Sequence, residues 1–356
     1  MVKVLVVDDS AFMRNALTNM LSSDKEIQVV GTARNGIEAI AKVKTLRPDI
    51  VTMDVEMPRM DGLDALRHIM AENPVPVVMV SSITEEGAKV TLEALELGAL
   101  DYIPKNLRDL SVNILKLKET LIEKIKVLSR TSRAKLIRKS PPPRPLTMKE
   151  QVAPENETRE DRAIGQRRMS ILAIGTSTGG PKALQEILPI LPANFPVPIV
   201  IAQHMPHNFT GAFAERLDNL SKLKVTEARE GDKLSPGHVY IAPGGHNMRV
   251  THTSGLDNVI TISENKEEYI YCPSVDALFK SASETYPGRT LGIVLTGMGH
   301  DGLDGARALK EGGGRIFAQS EETCVVFGMP KAVVEASLVD KVLPLESIAG
   351  EIINSV

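Results

Sequence analysis

Three aspartates stand where short apolar runs stop. Asp8 and Asp9 follow KVLVV at 3–7, and Asp54 follows DIVTM at 49–53. If the runs are neighbouring parallel strands, their ends lie side by side and the three carboxylates share one edge. Such acids repel one another unless a cation neutralises them, and an all-oxygen set suits Mg²⁺, which keeps waters and binds phosphate. Ser81 closes PVVMV at 76–80, and Lys105 ends the strand that begins LDYI at 100–103. Acids for a metal, a carboxylate nucleophile, a hydroxyl and an ammonium are the groups that aspartyl-phosphate formation requires. Taken singly, Asp8 and Asp9 could be helix N-caps and Lys105 a surface charge. Five such groups, each at a strand end, argue against that.

A second set lies downstream. SILAIG at 170–175 runs into TSTGGPKAL, so Gly175 to Gly179 reads G-x-S-x-G around Ser177. This is the strand–turn–helix elbow that exposes a nucleophilic serine. Pro181 suits the first helical turn, whose free N–H groups and positive dipole would favour a developing oxyanion. The five-residue pattern is weak by itself. A phosphate-cradling loop is the competitor, but Pro181 stands where its lysine belongs. A hydrolytic serine also needs a base, and there are seven histidines. His204 follows PIVIA at 198–202 almost at once, which puts it at the same sheet edge as Ser177. His207 could instead pair with His204 on a metal, though no further ligand is spaced to complete such a site. Asp301, in the glycine-rich loop after TLGIVLT at 290–296, is the choice for the carboxylate that orients the imidazole. Its neighbour His300 could compete as base. The order Ser, His, Asp differs from that of α/β-hydrolases.

The elements that must position these groups are legible. Residues 1–105 alternate five short runs rich in β-branched residues with amphipathic stretches near 11–22, 36–46, 62–71 and 85–97, and another follows at 109–128. That alternation predicts an open, doubly wound parallel sheet. From Met169 it resumes with runs at 170–175, 198–202, 238–242, 290–296 and 314–318, while VITI at 259–262 looks like one arm of a hairpin. Between them, 129–168 contains PPPRP and eleven Lys or Arg against five Asp or Glu. The segment is therefore +6 in a chain of net charge −3, and reads as a solvated tether. The expected division is 1–128, a basic linker at 129–168, and 169–356.

Composition narrows the function classes. Hydrophobic residues are 42% and charged residues 24%, which fits two soluble domains in 356 residues. Aromatic content of 3% without Trp weighs against single-strand nucleic-acid binding, and the second half shows no basic recognition helix. No run approaches the ~20 apolar residues of a membrane helix. Two distant cysteines, Cys272 and Cys324, fit a reducing compartment, and a cytoplasmic protein without membrane insertion or nucleic-acid partner is expected.

Residues 1–105, with VVDDS, MDVEMPRMDG, VSS and Lys105 in order, resemble a response-regulator receiver domain. The resemblance implies a flavodoxin-like five-stranded parallel fold, with Asp54 taking phosphate from a histidine kinase. It implies that Asp9 and Asp54 hold Mg²⁺ with Asp8 assisting, and that Ser81 and Tyr102 carry the switch. Asn106 follows Lys105 where many receivers have proline. Residues 169–340 resemble the chemotaxis protein-glutamate methylesterases through IGTSTGGPKAL, AQHMPHNFTGAFAERL, YIAPGGHNM, PSVDALF, LTGMGHDG and CVVFGMPK. That likeness implies a larger α/β catalytic domain with a mostly parallel sheet. It also implies Ser177, His204 and Asp301 as nucleophile, base and orienting acid, with Thr178 and the backbone of Met298 supporting the oxyanion. Ile270-Tyr271-Cys272 stands before PSVD where the resemblance leads one to expect a more basic stretch. The implied function is phosphorylation-activated removal of methyl esters from receptor glutamates, with glutamine deamidation as a second acyl transfer and no cofactor for the serine chemistry. The unphosphorylated receiver is expected to cover the Ser177 cleft. Two alternatives stay open: a receiver-controlled hydrolase of another protein ester or amide, and a non-enzymatic docking module whose Ser177 loop holds an anion.

Overall fold

The structure is a computed structural model that describes residues 1–82, 84–105, 110–131, 168–252, 257–264 and 269–356. Most of the basic linker and the Asn106 turn lie outside the described residues.

The first unit alternates β1 (Val2–Val7), α1 (Ala11–Ser22), β2 (Ile27–Ala33), α2 (Gly36–Leu46), β3 (Ile50–Asp54), α3 (Gly62–Glu72), β4 (Val77–Ser82), α4 (Glu85–Glu96), β5 (Asp101–Lys105) and α5 (Leu110–Leu128). All its strand pairs are parallel, in the order β2-β1-β3-β4-β5. The central strands are buried on both faces, which is why they read as continuous apolar runs rather than alternating ones. Ser10, Asn35, Asp61 and Thr84 cap α1 to α4 by accepting a hydrogen bond from a first-turn N–H. Ser10, not Asp8 or Asp9, is the N-cap of α1, so the two acids are free for other work.

The second unit runs β6 (Ile171–Thr176), α6 (Gly180–Ile187), β7 (Ile199–Gln203), α7 (His207–Leu220), β8 (Lys224–Glu227), β9 (His238–Ile241), β10 (Asn247–His252), β11 (Asn258–Ser263), α8 (Val275–Thr285), β12 (Thr290–Val294), α9 (Leu303–Glu311), β13 (Arg315–Gln319), α10 (Met329–Glu335), β14 (Lys341–Leu343) and α11 (Leu345–Ser355). Seven strands form a wholly parallel sheet in the order β14-β13-β12-β6-β7-β9-β8. The expected hairpin arm is β11, which pairs antiparallel with β10 away from that sheet. β8 and β14 are short strands at the sheet edges that local patterning did not mark. β12 stops two residues earlier than expected. Thr296 leaves the ladder because its N–H donates to the side chain of Gln319 at 2.9 Å.

The two units share buried surface. The Tyr102 ring, from β5, stacks on Phe209 of α7 with centroids 4.7 Å apart and planes 11° apart. Around that stack α4 lies along α7, and apolar side chains of both units join one core. At its edge Glu96 accepts from Arg216 at 2.7 and 2.5 Å and from Gln185 at 3.1 Å, and Lys89 pairs with Glu215 at 3.2 Å.

Candidate active site

In both sheets the candidate groups sit at the carboxyl ends of strands, beside the point where strand order reverses. In the first sheet the reversal falls between β1 and β3. Carboxylate oxygens of Asp8, Asp9 and Asp54 come within 4.8 Å of one another there. Lys105 reaches across from β5 and pairs with Asp8 at 2.9 Å and Asp54 at 2.6 Å. Burial pushes the Asp54 carboxyl up to about 6, although Lys105 pulls the other way. Burial also works against the Lys105 ammonium, but its bonds to Asp54 and Asp8 outweigh that and hold it above its ordinary value. One lysine does not balance this cluster, since three converging carboxylates face a single ammonium. A hard divalent cation fits this donor set. Ser81 Oγ is engaged with α4, donating to the Gly87 carbonyl at 3.3 Å and accepting from Thr91 at 2.7 Å. Tyr102 is buried, and that burial pushes its phenol well above the ordinary value. Gly62 has no room for a side chain, since a Cβ there would lie 1.9 Å from the Asp54 carbonyl oxygen. The turn after Asp54 is therefore drawn tight against it.

In the second sheet the reversal falls between β6 and β12. Ser177 follows β6, His204 follows β7, and Asp301 follows the loop after β12. His204 Nε2 and Asp301 Oδ2 are 2.7 Å apart. Asp301 is buried and also accepts from Ser274 Oγ at 3.0 Å, Val275 N at 2.8 Å and Asp276 N at 3.1 Å. Burial alone would raise its carboxyl, but the His204 hydrogen bond and the α8 amides hold it below the ordinary value. Asp301 is therefore ionised and acceptor-only, so Nε2 of His204 is the donor in their bond.

The serine elbow is knotted to its surroundings. Ser177 N donates to Thr296 O at 3.1 Å, and Gln203 Nε2 donates to the carbonyls of Ser177 and His204, both at 3.0 Å. Thr296 Oγ1 donates to the Thr178 carbonyl at 2.9 Å. Gly297 must be glycine, because a Cβ would meet Ser177 Cβ at 2.8 Å and Met329 Sδ at 2.3 Å. Among the described residues the N–H groups of Thr178 and Met298 meet no protein acceptor. Thr178 departs from a purely local supporting role, since its hydroxyl donates to the first unit's Asp101 at 2.6 Å. His300 is exposed, and the His207 ring lies 6.0 Å from that of His246. A cavity of about 350 Å³ joins the two units, lined by Asp101, Tyr102, Pro104 and Lys124 on one side and by Ser177, Thr178, Gln203, His204, Tyr271 and Cys272 on the other.

The family pattern described as CheB methylesterase matches residues 172–352, and that of the response regulator receiver domain matches 4–114. The chain belongs to the CheB methylesterase family. A protein-glutamate methylesterase/protein-glutamine glutaminase of Oleidesulfovibrio alaskensis is 49% identical over the whole of both chains. One of Pseudomonas putida is 47% identical over 99% of each. The crystal structure of the Thermotoga maritima CheB methylesterase catalytic domain is 44% identical, covers 53% of this chain and 99% of its own, and superposes with a TM-score of 0.51. The chain is thus an esterase of this family joined to a receiver. No helix among the described residues is long and apolar enough to cross a membrane.

Several working contacts escaped the sequence reading. Gln203, immediately before His204, had only its strand-end place to mark it. Asp101 lies unmarked in a strand run, Asp276 had only its place in PSVDALF, and Tyr271 only its place in the departing stretch, because each acts on a residue distant in the chain.

Proposed function

We propose that this chain removes methyl esters from glutamate side chains of chemoreceptors, and deamidates receptor glutamines, under control of phosphorylation at Asp54. The observation that carries this is the 2.7 Å His204–Asp301 bond at the sheet edge that also holds Ser177. Ser177 Oγ attacks the side-chain carbonyl carbon, and His204 Nδ1 takes its proton while Asp301 holds Nε2–H. The Ser177 N–H is already bound to Thr296, so the oxyanion is received by the unengaged N–H groups of Thr178 and Met298. His204 returns the proton to methoxide or amide nitrogen, methanol or ammonia leaves, and water cleaves the acyl-enzyme by the same route. The serine chemistry calls on no cofactor.

In the receiver, Asp9 and Asp54 with Asp8 would hold Mg²⁺, which when bound neutralises phosphoryl charge. A cytoplasmic histidine kinase is the donor. Residues 1–128 and 169–356 act as receiver and catalytic domain, and 129–168 tethers them. The unphosphorylated receiver inhibits. Its Asp101 and Tyr102 roof the cleft, and Asp101 holds Thr178, next to the nucleophile, at 2.6 Å. Phosphate on Asp54 draws Ser81 away from Gly87 and Thr91, which loosens α4 and the Tyr102–Phe209 stack.

The test is incubation with methyl-labelled receptor membranes, with and without a small-molecule phosphodonor. Volatile label should be released, faster with the donor, and Ser177→Ala should abolish release while its thermal melt stays unchanged. Turnover retained by that variant would disprove the nucleophile.

A further inference from the structure

One face of the His204 ring is covered by a residue from outside the sheet. The Tyr271 ring lies on it with centroids 4.5 Å apart and planes 7° apart. Tyr271 belongs to the segment before α8, whose preceding residue, Ile270, is 83% exposed. Tyr271 is itself 37% exposed, so it is not held there as a core side chain. Its hydroxyl end stands over the loop after β12, where a Cβ on Gly299 would lie 3.1 Å from the phenol oxygen. The ring therefore spans from the imidazole to the loop that carries Met298 and Asp301.

The imidazole needs such a support. Its polar anchor is the Nε2 bond to Asp301 at 2.7 Å, and a single hydrogen bond fixes one atom of a ring. The torsion between Cβ and an imidazole is broad and weakly restrained, so the ring can swing about that anchor and carry Nδ1 off the serine. A parallel aromatic face removes that freedom. It also presents π-electron density to the ring at the moment the imidazole becomes a cation.

We infer that Tyr271 is a positioning residue, an aromatic platform that keeps Nδ1 of His204 directed at Ser177 and favours the imidazolium formed during acyl transfer. This rests on the assignment of Ser177, His204 and Asp301 made above.

The experiment uses the full chain with a phosphodonor and two readouts. One is kcat and KM for methanol release from methylated receptor membranes. The other is the rate at which a small fluorophosphonate labels the serine, which needs no receptor. Tyr271→Leu should lower kcat and the labelling rate about tenfold with KM within about twofold, and Tyr271→Phe should restore both to within about twofold. Should Tyr271→Leu lose its cooperative melt, Tyr271→Met is read in its place. Unchanged rates without the ring, a Phe variant as slow as the Leu variant, or a change confined to KM would each overturn the platform. Labelling that survives Ser177→Ala would instead overturn the assignment of the serine, so the two failures are distinguishable.

Discussion

The surroundings of Asp301 shift two neighbouring carboxylates in opposite directions. Asp276, on the first turn of α8, accepts from Gly302 N at 3.0 Å and Gly305 N at 2.6 Å. Burial, and then the negative charge of Asp301, push the Asp276 carboxyl up to about 6, while Asp301 lies below its ordinary value. Environments that drive two acids apart in this way let one stay ionised beside a base while the other takes a proton. The sign of the stability effect follows. Protonated Asp276 is favoured in the fold, so its contribution is complete below the unfolded value of 3.8 and is lost as pH rises through about 6. Asp276→Asn keeps the acceptor oxygen for both glycine amides and does not titrate. Its melting temperature relative to the unsubstituted chain should therefore climb between pH 4 and pH 6 and level off above. A difference that stays flat across thermal melts in that window would refute the raised carboxyl.

Among elements, α4 packs along α7, and the proposed autoinhibition makes this pairing the latch of the roofed cleft. Glu96 closes α4 and joins both Arg216 of α7 and Gln185 of α6. The Glu96 side chain is 25% and that of Arg216 44% exposed, so the pair is worth no more than ~1 kcal/mol. That is too little to fold the protein and enough to bias an equilibrium between closed and open units about fivefold. Glu96→Ala should raise methanol release without a phosphodonor by up to about fivefold and leave the melting temperature nearly unchanged. Basal release equal to that of the unsubstituted chain would place the latch elsewhere, with the Tyr102–Phe209 stack and the Asp101–Thr178 bond as the remaining candidates.

At the scale of the whole molecule, the receiver's β5 and the serine elbow belong to one interface. On the proposed autoinhibition, the approach to Ser177 is set by where one unit lies on the other. Residues 169–356 alone should show higher esterase activity than the unphosphorylated full chain, and the phosphorylated full chain should move toward that level. Equal rates for the isolated unit and the unphosphorylated chain would sink autoinhibition. The 44%-identical catalytic domain of Thermotoga maritima was crystallised by itself, which supports using this half as a separate protein.

The sequence alone determined the two α/β halves, the strand-end placement of Asp8, Asp9, Asp54, Ser177, His204 and Asp301, and the hairpin arm at 259–262. These are local properties. A short β-branched run bounded by a turn makes a strand, and in a parallel sheet every strand ends at the same edge. Even there, β8 and β14 escaped notice, since three- and four-residue edge strands have too few residues to show a period. Tertiary structure alone decided which imidazole nitrogen faces the carboxylate, that Asp276 shares the charge of Asp301, that Thr178 reaches Asp101, and that Tyr271 covers His204. Each joins side chains 25 to more than 70 positions apart. Such pairs are fixed by how apolar faces such as Tyr102 on Phe209 come together, and no local stretch of chain encodes the partner on the far side of that contact.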